Sequence, residues 1–356
     1  MMTTTKAEAD GGRPKKDSLS RLRSARAKAI SLSPHEMVDL GRLPGCAALP
    51  LDMRPRVESL DLAKWTADNF DFVEASLFEH GAILFRGFGL GGLEDFEACL
   101  RGTGVELINY MESATPRTLL REKIYTSTEY PAHQSIALHN ELSTSTVFPL
   151  KIWFFCVEPP EAGGETPIAD VRKVYGRLDA GVRERFEREG WMLVRNYGEG
   201  FGIPWQKSFH TSDRHEVEEY CRRHDIEAEW KDGGGLRTRQ VRSAVARHPK
   251  TREPLWFNHV AFWHISSLEP QVREGMLAAF DAADLPYNTY YGDGSPIEDS
   301  VVAALREAYR LETVKFRWQR GDLLMLDNML VAHGRAPYTG PRKVLTAMGE
   351  ANSRRD

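Results

Sequence analysis

The fold and the chemistry of this chain centre on the segment Ile136-Ala137-Leu138-His139-Asn140-Glu141-Leu142. It follows a run with the composition of a β-strand, and successive side chains of a strand point to opposite faces. His139 and Glu141 would therefore share one face, with backbones about 6–7 Å apart, while Asn140 points away. A histidine and a carboxylate on one face are two of the three ligands of the facial triad that binds non-haem Fe(II). Alone, so short a pattern as H-x-E is weak evidence.

A second cluster lies near the other end of the chain. Asp327-Asn328-Met329-Leu330-Val331-Ala332-His333-Gly334-Arg335 is a strand-like apolar run that leads to a histidine and a glycine. Because His139 and Glu141 share a strand face, another strand must supply the third facial ligand, and we expect His333 in that position. A glycine after the ligand would let the chain turn without crowding the metal.

Two further residues suit a bound carboxylate. Arg342 leads a strand-like run over 343–348, and Thr166 belongs to the turn Gly163-Gly164-Glu165-Thr166-Pro167. A guanidinium fork matches a carboxylate in bidentate geometry, whereas lysine offers only a point charge. Arg342 with Thr166 is therefore the expected clamp, and Arg335 is the alternative cation.

Together these motifs resemble the TauD/TfdA (taurine dioxygenase and clavaminate synthase-like) family of Fe(II)- and 2-oxoglutarate-dependent oxygenases. The resemblance covers roughly residues 60–350 in order. It includes His80-Gly81-Ala82-Ile83-Leu84-Phe85-Arg86-Gly87-Phe88, the H-N-E segment, G-G-E-T-P-I-A-D and H-G-R-A-P-Y-T-G-P-R-K. Glutamate in the first metal motif is the clavaminate synthase-like variant.

The resemblance implies a mainly β fold with flanking helices and a distorted double-stranded β-helix (jelly-roll) core. It implies Fe(II), 2-oxoglutarate and O2, with His139, Glu141 and His333 as catalytic metal ligands and with Thr166 and Arg342 binding 2-oxoglutarate. The expected reaction is oxidation, foremost hydroxylation, of an unactivated C–H bond, with release of succinate and CO2. The expected substrate is an amino acid or an amino-acid-derived metabolite, with natural-product biosynthesis as the setting. Desaturation or cyclisation stays open, and so does a non-catalytic jelly-roll binding module.

Candidate substrate contacts come from three parts of the chain. Polar residues in the loop-rich approach to the metal strand would line the pocket, as in relatives; they are Thr128, Glu129 and Gln134. The aromatic segment at 254–264 contributes Asn258, whose amide suits a polar substrate group, although core packing explains that segment equally well. Asn140 and Arg335, beside the metal motifs, complete the set.

Composition limits the classes of partner. The chain has 356 residues, 41% of them hydrophobic, and a formal charge of −4, with no basic stripe for nucleic acid. Its four cysteines are far apart and suit a reducing compartment. The sequence contains no apolar run of about 18 residues and no signal-peptide core. We therefore expect a cytoplasmic protein with a small-molecule substrate, free or carrier-bound, and no nucleic-acid or membrane partner; oligomeric state cannot be read from the chain.

The chain divides into a tail and one domain. Low hydrophobicity and clustered positive charge predict a disordered basic tail over residues 1–33. Residues 34–356 form the single oxygenase domain, with an insertion at about 200–254. Apart from a helix over 216–223, little secondary structure is predicted for this insertion, and long loops of that kind tend to act as lids or binding loops. Its four histidines have no metal-site spacing and are predicted to be solvent-exposed; they are His210, His215, His224 and His248.

Overall fold

The computed structural model describes residues 1, 33–46, 49–109, 118–128, 130–198 and 203–354. The predicted tail over 1–33 thus lies outside the described residues, apart from its two ends. One compact unit runs from Pro34 to Asp356. Its described helices are α1 (Pro34–Met37), α2 (Leu62–Asp68), α3 (Phe70–His80), α4 (Leu93–Gly102), α5 (Val171–Arg177), α6 (Ala180–Glu189), α7 (Trp205–Ser208), α8 (Arg214–Arg223), α9 (Val260–Trp263), α10 (Pro270–Ala279) and α11 (Asp299–Glu312).

Strands make up most of the remaining regular structure. In chain order they are β1 (Val38–Arg42), β2 (Leu51–Pro55), β3 (Ala82–Phe85), β4 (Leu119–Arg121), β5 (Ile124–Thr126), β6 (Ile136–His139), β7 (Val147–Glu158), β8 (Ala162–Gly163), β9 (Ile168–Asp170), β10 (Trp191–Tyr197), β11 (Glu227–Trp230), β12 (Leu236–Arg242), β13 (Val245–Arg247), β14 (Pro254–Trp256), β15 (Tyr287–Tyr291), β16 (Thr313–Val314), β17 (Leu323–Asp327), β18 (Val331–Arg335), β19 (Tyr338–Thr339) and β20 (Lys343–Ser353). Short 3₁₀-helices lie at Asp232–Gly234, Ile265–Ser267 and Ala282–Asp284.

The large sheet has eight strands in the order β1-β2-β3-β17-β7-β20-β5-β4. Its central strand β7 is buried on both faces, because its side chains alternate between two cores. Phe154 packs in the inner core with Ile152 and Cys156, whereas Trp153 and Phe155 pack in the outer core. Helices α2, α3 and α4 cover the outer face with apolar side chains, and they are among the flanking helices that the family resemblance implies.

A second sheet, in the order β16-β9-β18-β6, faces the first across the inner core. Ile168 of β9 and Val331 of β18 belong to the same buried cluster as Phe154 and Leu324 of the large sheet. Two sheets that share one core in this way form the sandwich expected of a jelly roll. None of the helices in the described part of the chain is long and apolar enough to cross a membrane.

The insertion at 200–254 has far more regular structure than the sequence predicts. Strands β11 and β12 join β10 and β15 in a third sheet, and α8 packs there over a small core that includes Val217 and Leu236. The strands were missed because their exposed faces carry charge. Arg239 of β12, for example, pairs across the sheet with Glu227 and Glu229 of β11. The expectation of a loop with little secondary structure is therefore wrong.

One of the four insertion histidines also departs from expectation. His248 is fully buried, and its Nε2 donates to Asp327 Oδ2 at 3.0 Å. Its Nδ1 accepts the backbone N–H groups of Lys250 and Thr251. The prediction of a solvent-exposed His248 is wrong, because Asp327, a buried aspartate distant in the sequence, accepts a hydrogen bond from the imidazole. His210 and His215 are exposed, and His224 is half-buried.

A buried ion pair joins β3 to the turn before β17. Arg86 donates to both carboxylate oxygens of Asp322, at 2.9 and 2.6 Å, and the two side chains are 9% and 1% exposed. We expect Arg86→Ala to lower the free energy of unfolding by about 3–5 kcal/mol, because it leaves a buried carboxylate unpaired. Urea denaturation measures the loss. The matched control is Arg56→Ala, whose pair with Asp39 is more than half exposed and should contribute less than about 1 kcal/mol. Equal losses in the two variants would contradict this assignment.

Candidate metal centre

The two predicted histidine ligands lie opposite each other in the second sheet. His139 of β6 and His333 of β18 are direct antiparallel partners, and their ring centroids are 4.6 Å apart. Side chains opposite each other on such a ladder project from the same face. Gly334 permits this approach, since a Cβ there would meet the carbonyl oxygen of Ile136 at 2.5 Å. The glycine thus admits the neighbouring strand and does not turn the chain, contrary to the sequence-based expectation.

Glu141 reaches the same point by a different route. Strand β6 ends at His139, and Glu141 lies in the turn that follows, just before Leu142 with a φ of 55°. The prediction that one strand face carries both His139 and Glu141 is therefore wrong, although the convergence is right. Glu141 Oε2 lies 3.7 Å from His333 Nε2, and donor atoms of all three residues lie within 4.8 Å of one another.

The donor atoms fit a divalent iron ion. His139 Nδ1 donates to the carbonyl oxygen of Ala137 at 2.9 Å, which fixes the tautomer in which Nε2 carries the lone pair that a metal ion would take. Glu141 and His333 are only 6% and 4% exposed, and a cation between them would compensate the burial of these polar groups. Two imidazole nitrogens and one carboxylate oxygen form the donor set of non-haem Fe(II) oxygenases.

A pocket next to the histidines gathers the residues expected to bind 2-oxoglutarate. His139, His333, Thr166 and Arg342 all line it. Arg342 Nε donates to the carbonyl oxygen of Gly164 at 3.0 Å, which fixes the guanidinium beside the glycine turn. Gly164 has a φ of 67°, and a Cβ there would meet Arg342 Cδ at 3.1 Å, so the turn requires glycine.

The charge state of Arg342 suits an anionic ligand. Burial, and next the nearby charge of Arg335, lower the pKa of Arg342 to about 10, so the guanidinium stays protonated at neutral pH. Among the described residues, neither Arg342 nor Arg335 forms an ion pair with a carboxylate. Arg342 is half-buried, and a partly desolvated guanidinium that pairs with no carboxylate among the described residues is suited to bind an anionic ligand.

Arg335 has a different set of contacts. Its guanidinium donates to the backbone carbonyls of Tyr130, Pro131 and Gln134, at 2.6 to 2.8 Å. It therefore holds the loop at 130–134 against β18 while also lining the pocket. This geometry favours Arg342 over Arg335 as the group that binds the cosubstrate.

The remaining substrate candidates do not all face the pocket. Thr128 lines it, Gln134 is exposed outside it, and Glu129 lies outside the described residues. Asn140 is fully buried and donates to the carbonyl oxygen of Asn328 at 2.6 Å. The amide of Asn258 is occupied at both ends by backbone groups of Ala244 and Val260. Their geometry therefore does not support Asn140 and Asn258 as substrate contacts, and packing explains them instead.

Four residues near the site escaped sequence reasoning. Ser127 accepts a 3.2 Å hydrogen bond from Arg342, and Phe154 lies with its ring 5.1 Å from that of His333. The ring centroids of His259 and His139 are 5.7 Å apart, and His259 is hydrogen-bonded to Ser143. Burial, followed by the nearby charge of His139, lowers the pKa of His259 to about 3, so this imidazole stays neutral. The fourth is Asn328. It follows Asp327, and because aspartate and asparagine favour turns, this pair is the sequence signal that could have indicated a turn here.

Comparison with known proteins identifies relatives of the whole domain. Residues 47–348 match the family described as "Taurine catabolism dioxygenase TauD, TfdA family". The chain is 40% identical over 276 residues to the dapdiamide synthesis protein DdaC of Enterobacter agglomerans, covering 78% of this chain and 84% of that protein. It is 30% identical over 292 residues to a clavaminate synthase-like protein of Arabidopsis thaliana, again covering 78% and 84%.

Solved structures share the fold. PvcB from Pseudomonas aeruginosa superposes with a TM-score of 0.54 at 16% identity, covering 90% of this chain and 93% of that one. A taurine dioxygenase from Burkholderia xenovorans superposes with a TM-score of 0.52 at 13% identity, covering 90% and 95%. Together with the two-sheet core, these likenesses confirm the predicted jelly-roll class.

The metal assignment predicts which side chains are indispensable. His139→Ala or His333→Ala should abolish turnover and most Fe(II) binding, since each variant loses one of the two imidazole ligands. Glu141→Asp should retain some of both, but one methylene less displaces the oxygen by about 1.5 Å, which can cost on the order of 100-fold in rate. Iron stoichiometry and product formation are measured on each variant. The control is His215→Ala, on the exposed face of α8. Wild-type iron binding in His333→Ala would refute the assignment.

The pocket geometry predicts a separate loss for Arg342→Ala. This variant should weaken 2-oxoglutarate binding by about 2–5 kcal/mol, because a charge-assisted bidentate pair is lost. Arg342→Lys should recover only part, because the planar fork is gone. Anaerobic titration of the Fe(II)-loaded protein measures the affinity, with iron stoichiometry as the internal control. Unchanged cosubstrate affinity in Arg342→Ala would transfer the role to Arg335.

Proposed function

Because this chain belongs to the TauD/TfdA family and is an Fe(II)- and 2-oxoglutarate-dependent oxygenase, we propose that His139, Glu141 and His333 hold its iron. We further propose that it oxidises an unactivated C–H bond, by hydroxylation, in an amino acid or an amino-acid-derived small molecule. The observation that carries the proposal is the convergence of the three ligand atoms beside a pocket with a half-buried guanidinium.

The protein's own residues would bind, orient and protect the reactants. Arg342 and the hydroxyl of Thr166 suit the far carboxylate of 2-oxoglutarate, and Ser127 steadies the guanidinium. Phe154 presents an apolar ring beside His333, which helps to exclude water from the pocket. When bound, Fe(II) would let O2 act as the oxidant: 2-oxoglutarate is oxidised to succinate and CO2 and takes up one oxygen atom, and the other oxygen atom is available to oxidise the C–H bond.

The substrate class rests on the chain's relatives. The protein that is 40% identical bears the name of dapdiamide synthesis, and the plant relative is described as clavaminate synthase-like. These names support a role in natural-product biosynthesis and an amino-acid-derived substrate, free or carrier-bound. Desaturation or cyclisation is the second candidate, since the same ligands serve it and the position of the substrate decides the outcome. The four free cysteines support a reducing, cytoplasmic location.

A substrate screen tests the proposed function. The iron-loaded protein is incubated with 2-oxoglutarate, O2 and a panel of amino acids, free and attached to a carrier protein. Substrate-dependent succinate and a product that has gained one oxygen atom are expected. A product that has lost two hydrogen atoms would favour desaturation or cyclisation instead. The wild type without a panel compound is the control for uncoupled turnover, and Glu141→Ala is the control for succinate that does not come from the metal centre. Succinate release that no panel member stimulates, without a modified product, would contradict the proposed substrate class.

The segment at 200–254 is proposed to cover bound substrate. It is tied to the turn after Glu141, because Arg242 donates to the carbonyl oxygen of Thr144 and His224 bonds to Thr146. Substrate binding should therefore slow hydrogen exchange of its amides. Exchange is compared with and without substrate under anaerobic conditions, with the strands of the outer core as the internal control. Identical exchange in both states would show that the segment is a static part of the fold.

A further inference from the structure

The turn between β17 and β18 holds an asparagine whose side-chain amide is fully used. Asn328 is completely buried. Its Oδ1 accepts the backbone N–H of Glu141 at 2.7 Å, and its Nδ2 donates to the carbonyl oxygens of Glu141 at 2.9 Å and Pro149 at 2.8 Å. Both backbone polar groups of one residue, Glu141, are thus bound by a single side chain.

These hydrogen bonds hold the backbone of Glu141, which no strand pairing holds. Its neighbour His139 is fixed by the β6–β18 ladder, but that ladder ends before Glu141. A turn residue is held only by the contacts that its surroundings provide. Asn140 adds a reciprocal bond, since its Nδ2 donates to the carbonyl oxygen of Asn328 at 2.6 Å. The turn and the asparagine therefore form a closed, buried network.

The same asparagine connects the carboxylate to the second histidine. Asn328 begins the short connection that leads into β18, where His333 lies. The connection is braced independently, because Asp327 Oδ1 accepts the backbone N–H groups of Met329 and Leu330. Glu141 is consequently fixed relative to the connection that leads from β17 in the large sheet to β18 in the second sheet, which helps to set the distance between Glu141 and His333.

We propose that Asn328 is a positioning residue that holds the Glu141 carboxylate in the metal centre. This inference rests on the proposed function, in which Glu141 binds iron. Groups that orient a metal ligand commonly govern affinity by about 10-fold to 100-fold. Asn328 acts through the backbone of Glu141, so its loss leaves all three ligands in the sequence but frees the carboxylate to leave its productive position.

The test titrates the metal-free protein with Co(II), a divalent ion that is stable in air and reports on the proposed iron site. Its dissociation constant and visible absorption spectrum are measured for wild type, Glu141→Ala, Asn328→Ala and Asn328→Asp. Asn328→Asp keeps the side-chain volume and the oxygen that accepts the Glu141 N–H, but it loses the two hydrogen bonds that Asn328 donates. It therefore provides a second test if the alanine variant does not fold. We expect Asn328→Ala to weaken Co(II) binding about 10-fold to 100-fold. Its spectrum should shift towards that of Glu141→Ala.

The matched control is His248→Gln. His248 braces the same connection through Asp327, and its hydrogen bonds go to Asp327, Lys250 and Thr251. This variant should lose thermal stability and keep the wild-type Co(II) affinity and spectrum. The inference fails if a folded Asn328 variant binds Co(II) as wild type does, or if His248→Gln weakens binding equally. If the wild type itself binds no Co(II), or Glu141→Ala binds it unchanged, the proposed function fails instead.

Discussion

The cross-strand pairing of His139 with His333 is the constraint on which the site depends. The two residues are direct partners between β6 and β18, so their side chains leave the sheet on one face, with ring centroids 4.6 Å apart. A register shift of one residue would turn one ring to the opposite face and abolish the pair. Gly334 keeps the strands close enough for this register, because any side chain there would strike the carbonyl of Ile136.

The other two charged residues of the site, Glu141 and Arg342, are positioned by turns. The Gly163–Gly164 turn brings its backbone against the segment that carries Arg342, and the Asn328 turn fixes Glu141. The β-sandwich therefore supplies the histidines, and turns and loops supply the carboxylate and the cation that we propose to bind the cosubstrate. This division agrees with the general distribution of function, in which scaffolds position and loops carry chemistry. It also places the charges of Glu141 and Arg342 next to the sites where a cation and an anion would compensate them.

Sequence patterns predicted the chemistry of the site better than its local structure. The residues proposed to bind the metal and the cosubstrate were singled out from residue type, spacing and the family resemblance, because few residue types can bind iron or a carboxylate, and the structure brings them together. The turn at Glu141 was not predicted, since the hydrogen bonds that impose it come from Asn328, 187 positions away. His248 was misjudged for the same reason, as its partner Asp327 lies 79 positions away in the sequence. Local sequence patterns show the secondary-structure propensity and the hydrophobic periodicity of a segment. Buried contacts between segments that are distant in the sequence can override both.

The central claim is that one metal ion binds where His139, Glu141 and His333 converge. Crystals grown without oxygen with Fe(II) and 2-oxoglutarate, measured at the iron absorption edge, test it most directly. The account predicts one anomalous density peak in contact with both imidazole Nε2 atoms and a Glu141 carboxylate oxygen, with the cosubstrate reaching from that peak to Arg342. A peak elsewhere, or one whose protein ligands omit any of the three residues, would contradict it.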